Sequence, residues 1–167
     1  TASLVWMITE WVRFGKPSLI GTVTGTIAGL ATITPASGFV GPFGALVIGA
    51  AAGFICFVAV QVVKQKLKID DSLDVFAVHG VGGMMGTMLA AILVLPALGG
   101  MGLAEGMTVG KALGVQLIGI VAAVIWTGGV SWVLVKVCLA LVGLRVERED
   151  EIEGLDITSH GERGYEI

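Results

Sequence analysis

Apolar residues form long runs along this chain, and polar residues are concentrated in the short segments between them. Three stretches contain no Lys, Arg, Asp or Glu: residues 19–63, 75–104 and 112–135. Uncharged apolar stretches of about 20 residues are long enough to cross a bilayer as helices. The pattern predicts five membrane helices, at residues 1–12, 18–33, 43–63, 73–95 and 108–144.

The segments between the predicted helices carry helix-breaking or helix-capping residues. Residues 34–42 contain two prolines and two glycines, which exclude a continuous helix through them. Before the fourth helix, Asp71 is a candidate cap and Asp74 follows three residues later, close to a capping box. The fifth helix is roughly 37 residues, about 55 Å, whereas a hydrocarbon core is about 30 Å thick. We therefore expect this helix to tilt or to protrude.

The composition supports the membrane interpretation. Hydrophobic residues make up 55% of the chain, charged residues make up 14%, and the mean hydropathy is +0.93. Soluble domains carry about 25% charged residues. The sequence thus predicts an all-α membrane protein, with membrane helices over residues 1–144 and a polar tail over residues 145–167.

Small and aromatic residues inside the apolar runs are interpreted as packing residues. Many of the 26 glycines recur at a spacing of four, which lets membrane helices approach closely. The spaced sets are Gly21, Gly25 and Gly29; Gly49 and Gly53; Gly82 and Gly86; Gly110 and Gly114. We expect Cys56 and Cys138 to be buried apolar residues, and the four tryptophans to be packing or membrane-interface residues.

Basic residues predict the orientation of the helices in the membrane. The turn after the first helix has Arg13 and Lys16, and the turn after the third has three lysines within residues 64–68. The tail carries further arginines, whereas the loops at 34–42 and 96–107 have no Lys or Arg. By the positive-inside rule, the basic turns and the C-terminal tail are cytoplasmic.

His79 is the outstanding candidate for function, because it is an ionisable residue inside a predicted membrane span. Its imidazole suits the handling of protons near neutral pH. Two interpretations remain open: a structural histidine bonded to a helix carbonyl, or a residue that handles protons or contacts a small polar substrate. On the predicted helix, His79 lies about six residues past Leu73, roughly 9 Å into the core.

Two features of the chain ends complete the prediction from the residues. The chain begins at Thr1 within an apolar run and lacks a charged signal region, so we expect it to be part of a longer or divided protein. Residues 147–153 contain five carboxylates and one arginine, a composition typical of a solvated face.

Several motifs resemble those of the ammonium transporter (Amt/Rh) family. The sequence DSLDVFAVHGVGG at residues 71–83 is similar to the motif of that family's tenth helix. Further matches are Glu10-Trp11, Pro17-Ser18, residues 25–30 and 34–38, and, in the tail, residues 143–146, 151–156 and 160–162 and Tyr165. The resemblance covers essentially the whole chain, at about helices 7–11 and the tail. It favours the Amt branch, since Rh proteins lack this tail.

The resemblance implies a fold, an activity and site residues. Members of the family have eleven helices in an inverted repeat and form homotrimers in which each protomer holds a pore. Ammonium loses a proton at the outer vestibule, and ammonia passes two hydrogen-bonded histidines. On that pattern His79 is the second histidine, Ile27 and Val75 line the inner end of the pore, and Thr34 lies near the channel. The first histidine and the outer aromatic residues have no counterpart in this chain.

The resemblance also implies a regulatory tail and partners. It assigns the tail residues Gly154, Leu155, Asp156, Thr158, His160, Gly161 and Tyr165 to a region that packs beneath the trimer and couples its pores. Thr158 aligns with a threonine that plant relatives phosphorylate, and in prokaryotic relatives a PII signal protein binds the cytoplasmic face. The implied location is the plasma membrane or prokaryotic inner membrane, with ammonium or ammonia and lipid as partners.

Two alternatives to transport remain from the sequence: an ammonium sensor module, and a structural half of a divided membrane protein. An enzyme is not expected, because no nucleophile–base pair, metal cluster or paired carboxylates occur within a span. No cofactor, metal or nucleic acid is expected as a partner. Electrogenic ammonium transport and neutral ammonia flow are both compatible with the residues.

Overall fold

A computed structural model describes residues 1–163, and over these residues the chain is helical with no β-strand. The chain divides into two compact units, Thr1–Ile120 and Val121–Ile167. Tyr165, assigned above to the tail, lies outside the described residues. The fold is that of an all-α membrane protein, as predicted.

The first unit contains four helices joined by short turns. Their bounds are α1 Ala2–Phe14, α2 Leu19–Ile33, α3 Pro42–Gln61 and α4 Val81–Leu93. A 3₁₀ turn at Thr34–Ala36 follows α2, and another at Pro96–Leu98 follows α4. The helix α5, Val109–Leu141, begins in the first unit and continues into the second. Pro42 opens α3 at a position where its missing N–H costs nothing.

Two segments of π-helix flank the connection between α3 and α4, at Val62–Lys66 and Phe76–Gly80. No signal in the sequence indicated them. The helix that leads into α4 begins at Val75, two residues later than predicted. His79 therefore lies about 6 Å along its helix rather than 9 Å, at 1.5 Å per residue.

Within residues 1–163, four apolar helices are long enough to cross a membrane: Leu19–Ala36, Pro42–Lys66, Phe76–Leu93 and Val109–Leu141. The helix α1 has 13 residues, fewer than the about 20 that a full crossing needs. The helix α5 has 33 residues, or about 50 Å, which still exceeds the hydrocarbon core.

The core of the first unit forms where α1, α2, α3 and the second π segment meet. Trp6, Ala28, Cys56, Phe57 and Val78 belong to one buried cluster. The rings of Trp6 and Phe57 are 5.5 Å apart and nearly perpendicular, an arrangement that stabilises aromatic pairs. A second cluster, nearer the 3₁₀ turn after α2, contains Ala36, Ile48, Ala90 and Leu93.

Glycines at spacing four allow this close packing, as their pattern predicts. A Cβ placed on Gly25 would lie 2.7 Å from Cβ of Trp6, and one on Gly29 would lie 2.7 Å from Cβ of Ala2. These distances are too short for any side chain, so α1 and α2 can approach only because α2 carries glycine there. Gly110 and Gly114 of α5 differ, because no atom lies within 4 Å of the corresponding positions.

The second unit contains the C-terminal part of α5 and two short helices, α6 Arg148–Glu153 and α7 Leu155–Thr158. Arg145 donates two hydrogen bonds to Oε1 of Glu151, at 2.9 and 2.7 Å, and one to Oε2 at 2.9 Å. This bidentate contact links the segment that follows α5 to α6. Gly154, with φ of 105°, allows the sharp change of direction between α6 and α7.

Candidate functional site

His79 lies in the π segment Phe76–Gly80, and its side chain is exposed in this chain. Its neighbours Ala77 and Val78 are buried in the core, whereas His79 lies on the exposed side of the segment. Among residues 1–163, no hydrogen bond or ion pair involves its imidazole. The chain's own helix carbonyls therefore do not hold this ring, and both ring nitrogens remain available.

The turn before His79 is organised by Asp71. Its carboxylate accepts hydrogen bonds from the backbone N–H groups of Val75, Phe76 and Ala77, at 2.8, 3.0 and 3.3 Å. The predicted capping by Asp71 is confirmed. These N–H groups open the helix and have no partner within it.

Asp74 does not complete a capping box, which corrects the prediction. Its backbone is left-handed, with φ of 57°, a conformation that Asp tolerates better than most residues. Its Oδ1 lies 2.8 Å from Nζ of Lys64, as an ion pair rather than a well-aligned hydrogen bond. The pair links the first π segment to the turn that precedes the second.

The other predicted pore residues are also exposed in this chain. Val75 is 53% exposed and lies four residues before His79, and Ile27 is 42% exposed on α2, which packs against the π segment and α4. Thus Val75, His79 and Ile27 lie on neighbouring elements of the first unit. Apolar groups beside an imidazole form a surface suited to a small neutral molecule rather than a bare cation.

Thr34 is more distant from the other three. It lies in the 3₁₀ turn at the far end of α2, seven residues or about 10 Å beyond Ile27. Its hydroxyl donates to the carbonyl of Leu30 at 2.6 Å. The hydroxyl proton is thus used within the helix, and the oxygen retains a lone pair with which to accept a hydrogen bond.

The tail residues are arranged around α7 in the second unit. Thr158 donates its hydroxyl to the carbonyl of Gly154 at 3.3 Å, and the Glu162 N–H donates to the carbonyl of Asp156 at 2.8 Å. Leu155 is 42% exposed, and Gly161 has φ of 64°. The side chains of Asp156 and His160 line an open depression of about 260 Å³ with Glu162 and Arg163.

Sequence reasoning missed the buried polar contact behind the site. Thr32 is fully buried and donates its hydroxyl to the carbonyl of Ala28 at 2.7 Å. Gly82 lies against it, and a Cβ there would be 2.7 Å from Oγ1 of Thr32 and 3.2 Å from Sγ of Cys56. The glycine at position 82, within the sequence HGVGG at residues 79–83, was the signal in the sequence for this contact. Over residues 1–163 no three His, Cys, Asp or Glu side chains are grouped to hold a metal ion.

A second, apolar cavity lies away from His79. Its volume is about 250 Å³, and its lining includes Pro35, Phe39, Ala90 and Val94. Ala90 is eleven residues beyond His79 in sequence, or about 16 Å along the helix. This cavity is therefore separate from the surface that contains His79.

Comparison with known proteins identifies the family. A profile of the Ammonium Transporter Family matches residues 1–165. The chain is 42% identical to the ammonium transporter of Aquifex aeolicus, over 100% of this chain and 39% of that protein. It is 43% identical to ammonium transporter Amt1 of Archaeoglobus fulgidus, over 98% of this chain and 41% of that protein.

Solved structures agree with the sequence relatives. A protein described as a sensor Amt protein superposes with a TM-score of 0.85 at 31% identity, over 93% of this chain and 38% of that one. Mep2 of Saccharomyces cerevisiae superposes with a TM-score of 0.75 at 38% identity, over 89% of this chain and 35% of that one. The chain spans about 40% of the length of the curated relatives, which are named as transporters rather than enzymes. This chain belongs to the ammonium transporter family.

Proposed function

We propose that the protein containing these residues transports ammonium across a membrane and that His79 is part of its conduction path. The observation that carries this proposal is the placement of His79. It is a protonatable side chain on an apolar helix, directed outward and without a partner in the described chain. A structural histidine in hydrocarbon would instead require a hydrogen-bond partner.

The physical chemistry of the substrate favours such a site. Removing an ammonium ion from water into an apolar path costs much more free energy than removing neutral ammonia. Splitting the ion into ammonia and a proton lowers that barrier and excludes potassium, which has no proton to lose. An imidazole accepts and returns a proton near neutral pH, while Val75 and Ile27 provide apolar walls.

A twin-histidine path requires a second imidazole near His79. The chain has two histidines, His79 and His160, and His160 lies in the tail. We propose that the partner of His79 comes from a segment outside these 167 residues. The outward, unpartnered ring of His79 leaves room for such a contact.

The decisive experiment is transport by the full-length protein in proteoliposomes. We expect His79→Ala to lower the ammonium-dependent current by about 100-fold, which is within the range for the loss of a positioned proton-transfer group. Methylammonium uptake and exclusion of potassium are measured in parallel. Thr127→Ala is the control, because it removes an exposed polar side chain from an apolar helix away from His79. Unchanged flux and selectivity in His79→Ala would overturn the assigned role.

We further propose a homotrimer in the plasma or prokaryotic inner membrane, with the C-terminus in the cytoplasm. The orientation is supported by the distribution of basic residues, including Arg13 and Lys64 in alternate turns. Impermeant labelling of a cysteine introduced at residue 163 tests the orientation in intact cells. Labelling without permeabilisation would contradict it, and chemical cross-linking of the purified protein tests the trimer.

The tail over residues 145–167 is proposed as a regulatory region, and a PII-type signal protein as a possible ligand of the cytoplasmic face. A phosphate on Thr158 adds about −1.5 to −2 charges close to Asp156 and Glu162 on the same short segment. We expect Thr158→Asp to lower transport and Thr158→Ala to preserve it. Equal transport by both variants would contradict regulation at this position.

An ammonium sensor is the second candidate function, and the structural match to a protein described as a sensor Amt protein favours it. A sensor binds ammonium with little net flux, whereas a transporter passes charge continuously. Currents on a solid-supported membrane distinguish the two. A brief binding transient that does not scale with the ammonium gradient would favour the sensor.

A further inference from the structure

The π segment that carries His79 is held at both of its ends. It consists of five residues, Phe76–Gly80. A π turn closes i→i+5 hydrogen bonds and is less favourable than an α turn, so it persists where the surrounding structure enforces it. What enforces it here also determines where the His79 ring is directed.

The C-terminal end of the segment is held by close packing of α4. At Gly82 there is no room for a side chain, because Oγ1 of Thr32 and Sγ of Cys56 lie too close. Gly86 lies against the backbone carbonyl of Thr32. Thr32 is fully buried. Because these contacts involve backbone and buried atoms, α4 has little freedom to slide or to rotate against α2.

The N-terminal end is held by one side chain. Asp71 accepts the N–H groups of Val75, Phe76 and Ala77 through both carboxylate oxygens, at 2.8 to 3.3 Å. Its backbone carbonyl also accepts the N–H of Asp74 at 3.1 Å. The carboxylate thus bonds three consecutive N–H groups immediately before His79, and each of those bonds is charge-assisted.

We propose that Asp71 is a positioning residue for His79: the Asp71 carboxylate fixes the first turn that leads into the segment Phe76–Gly80, and so sets the direction of the His79 imidazole. This inference rests on the proposed role of His79 in transport. Without Asp71 the three N–H groups lose their acceptor, so the first turn is no longer fixed. A change in the backbone of residues 75–77 redirects the His79 ring, because His79 lies only two residues beyond them.

The ion pair between Lys64 and Asp74 supports this assignment. In this pair, Oδ1 of Asp74 lies 2.8 Å from Nζ of Lys64 in the first π segment. Asp74 is therefore not available to replace Asp71 as the acceptor. Asp70 offers a matched control, because it is an exposed carboxylate next to Asp71 with no hydrogen bond or ion pair in the described chain.

The test compares Asp71→Ala, Asp71→Asn and Asp70→Asn in the full-length protein in detergent. The direct measurement is the rate at which diethyl pyrocarbonate modifies His79, followed by mass spectrometry. We expect Asp71→Ala to change this rate by about 10-fold, from the loss of a capping carboxylate. Asp71→Asn retains one acceptor oxygen and should lie between Asp71→Ala and the unsubstituted protein. Asp70→Asn should match the unsubstituted protein.

Hydrogen exchange and transport provide independent readouts. Exchange at the amides of residues 75–77 should quicken by about 10-fold in Asp71→Ala. In proteoliposomes, the maximal rate of methylammonium uptake should fall while KM changes little, because positioning affects conduction rather than recruitment. A loss of stability alone would lower the amount of folded protein without changing the modification rate of His79 in the folded fraction.

Each result decides the inference. An unchanged modification rate in Asp71→Ala overturns it, and so does an Asp70→Asn effect as large as that of Asp71→Asn, which would indicate a general charge effect. If Asp71→Ala does not fold, an unchanged rate in folded Asp71→Asn overturns it instead. Should His79→Ala transport normally, the proposed function fails, yet the modification rate still tests whether Asp71 positions His79.

Discussion

The helices α3 and α5 are similarly apolar, with mean hydropathies of 2.5 and 2.1 over an 18-residue window of each, but they are packed differently. In the α3 window, 44% of the residues are buried. Among the 33 residues of α5, all of which the structure describes, only Ala112 is buried. Similar sequence patterns therefore lead to a core helix in one region and an exposed helix in the other.

The glycines make the same contrast at the level of single atoms. Gly53 of α3 lies against the backbone carbonyl of Ala2, and Gly86 of α4 lies against that of Thr32. Gly110 and Gly114 of α5 have the same spacing but face open space. A small-residue stripe thus shows that close approach is permitted, not that a neighbour is present.

The largest effect is expected for tryptophan replacement. Trp6 is 3% exposed and packs edge-on against Phe57, whereas Trp132 on α5 is 65% exposed. We expect Trp6→Ala to lower the free energy of unfolding by about 3–5 kcal/mol. Trp132→Ala should cost less than about 1 kcal/mol, including its contact with Lys136. Thermal unfolding of purified protein in detergent measures both, and equal losses would show that α5 is packed as tightly as α1.

A smaller loss is expected for Gly86→Ala, since a Cβ there would overlap the carbonyl oxygen of Thr32. Overpacking of this kind costs about 1–3 kcal/mol, or more where backbone must move. Gly114→Ala is the control on α5 and should be neutral or stabilising by up to about 1 kcal/mol, through helix propensity. The thermal unfolding midpoints in detergent compare the two variants. Destabilisation by Gly114→Ala would mean that another chain or segment packs on α5.

The smallest difference in stability is expected between replacements of two carboxylates, Glu10 and Glu151. Glu10 accepts hydrogen bonds from Ser18 N at 2.7 Å, and from Ser18 Oγ and Trp6 Nε1 at 3.2 Å each. Glu10→Gln places an amide donor where an acceptor is needed, and we expect a loss of about 1–3 kcal/mol. Glu151→Gln weakens an exposed contact with Arg145 and should cost at most about 1 kcal/mol. Chemical unfolding in detergent compares them, and a larger cost at Glu151 would reverse the contrast.

Much of the fold could be predicted because its signals are local. Charge-free stretches and Pro-Gly breakers indicate where helices begin and end, and α2, Leu19–Ile33, lies within one residue of its predicted bounds. The capping by Asp71 is likewise local, since the residue and the N–H groups it accepts lie within six positions. The membrane class follows from composition, and the family follows from motifs around His79.

Other features were not predictable, because they depend on contacts between distant residues. The π turn at Phe76–Gly80 lies between two contacts, the cap formed by Asp71 and the packing of Gly82 against Thr32. Thr32 is 50 residues earlier in the chain than Gly82. Asp74 has the spacing of a capping residue, yet it pairs with Lys64 because the loop returns past the end of α3. Local spacing alone could not distinguish these two roles for an acidic residue.

The helical segments, the membrane class and the importance of His79 follow from the order of residues, because apolar runs and a rare ionisable group are visible in the chain itself. Which small residues are in contact, and which face of the helix carries His79, depends on how the helices pack. Packing of α2 and α3 against the π segment buries Ala77 and Val78 and leaves His79 exposed. The orientation of the candidate site thus comes from the packing of neighbouring helices.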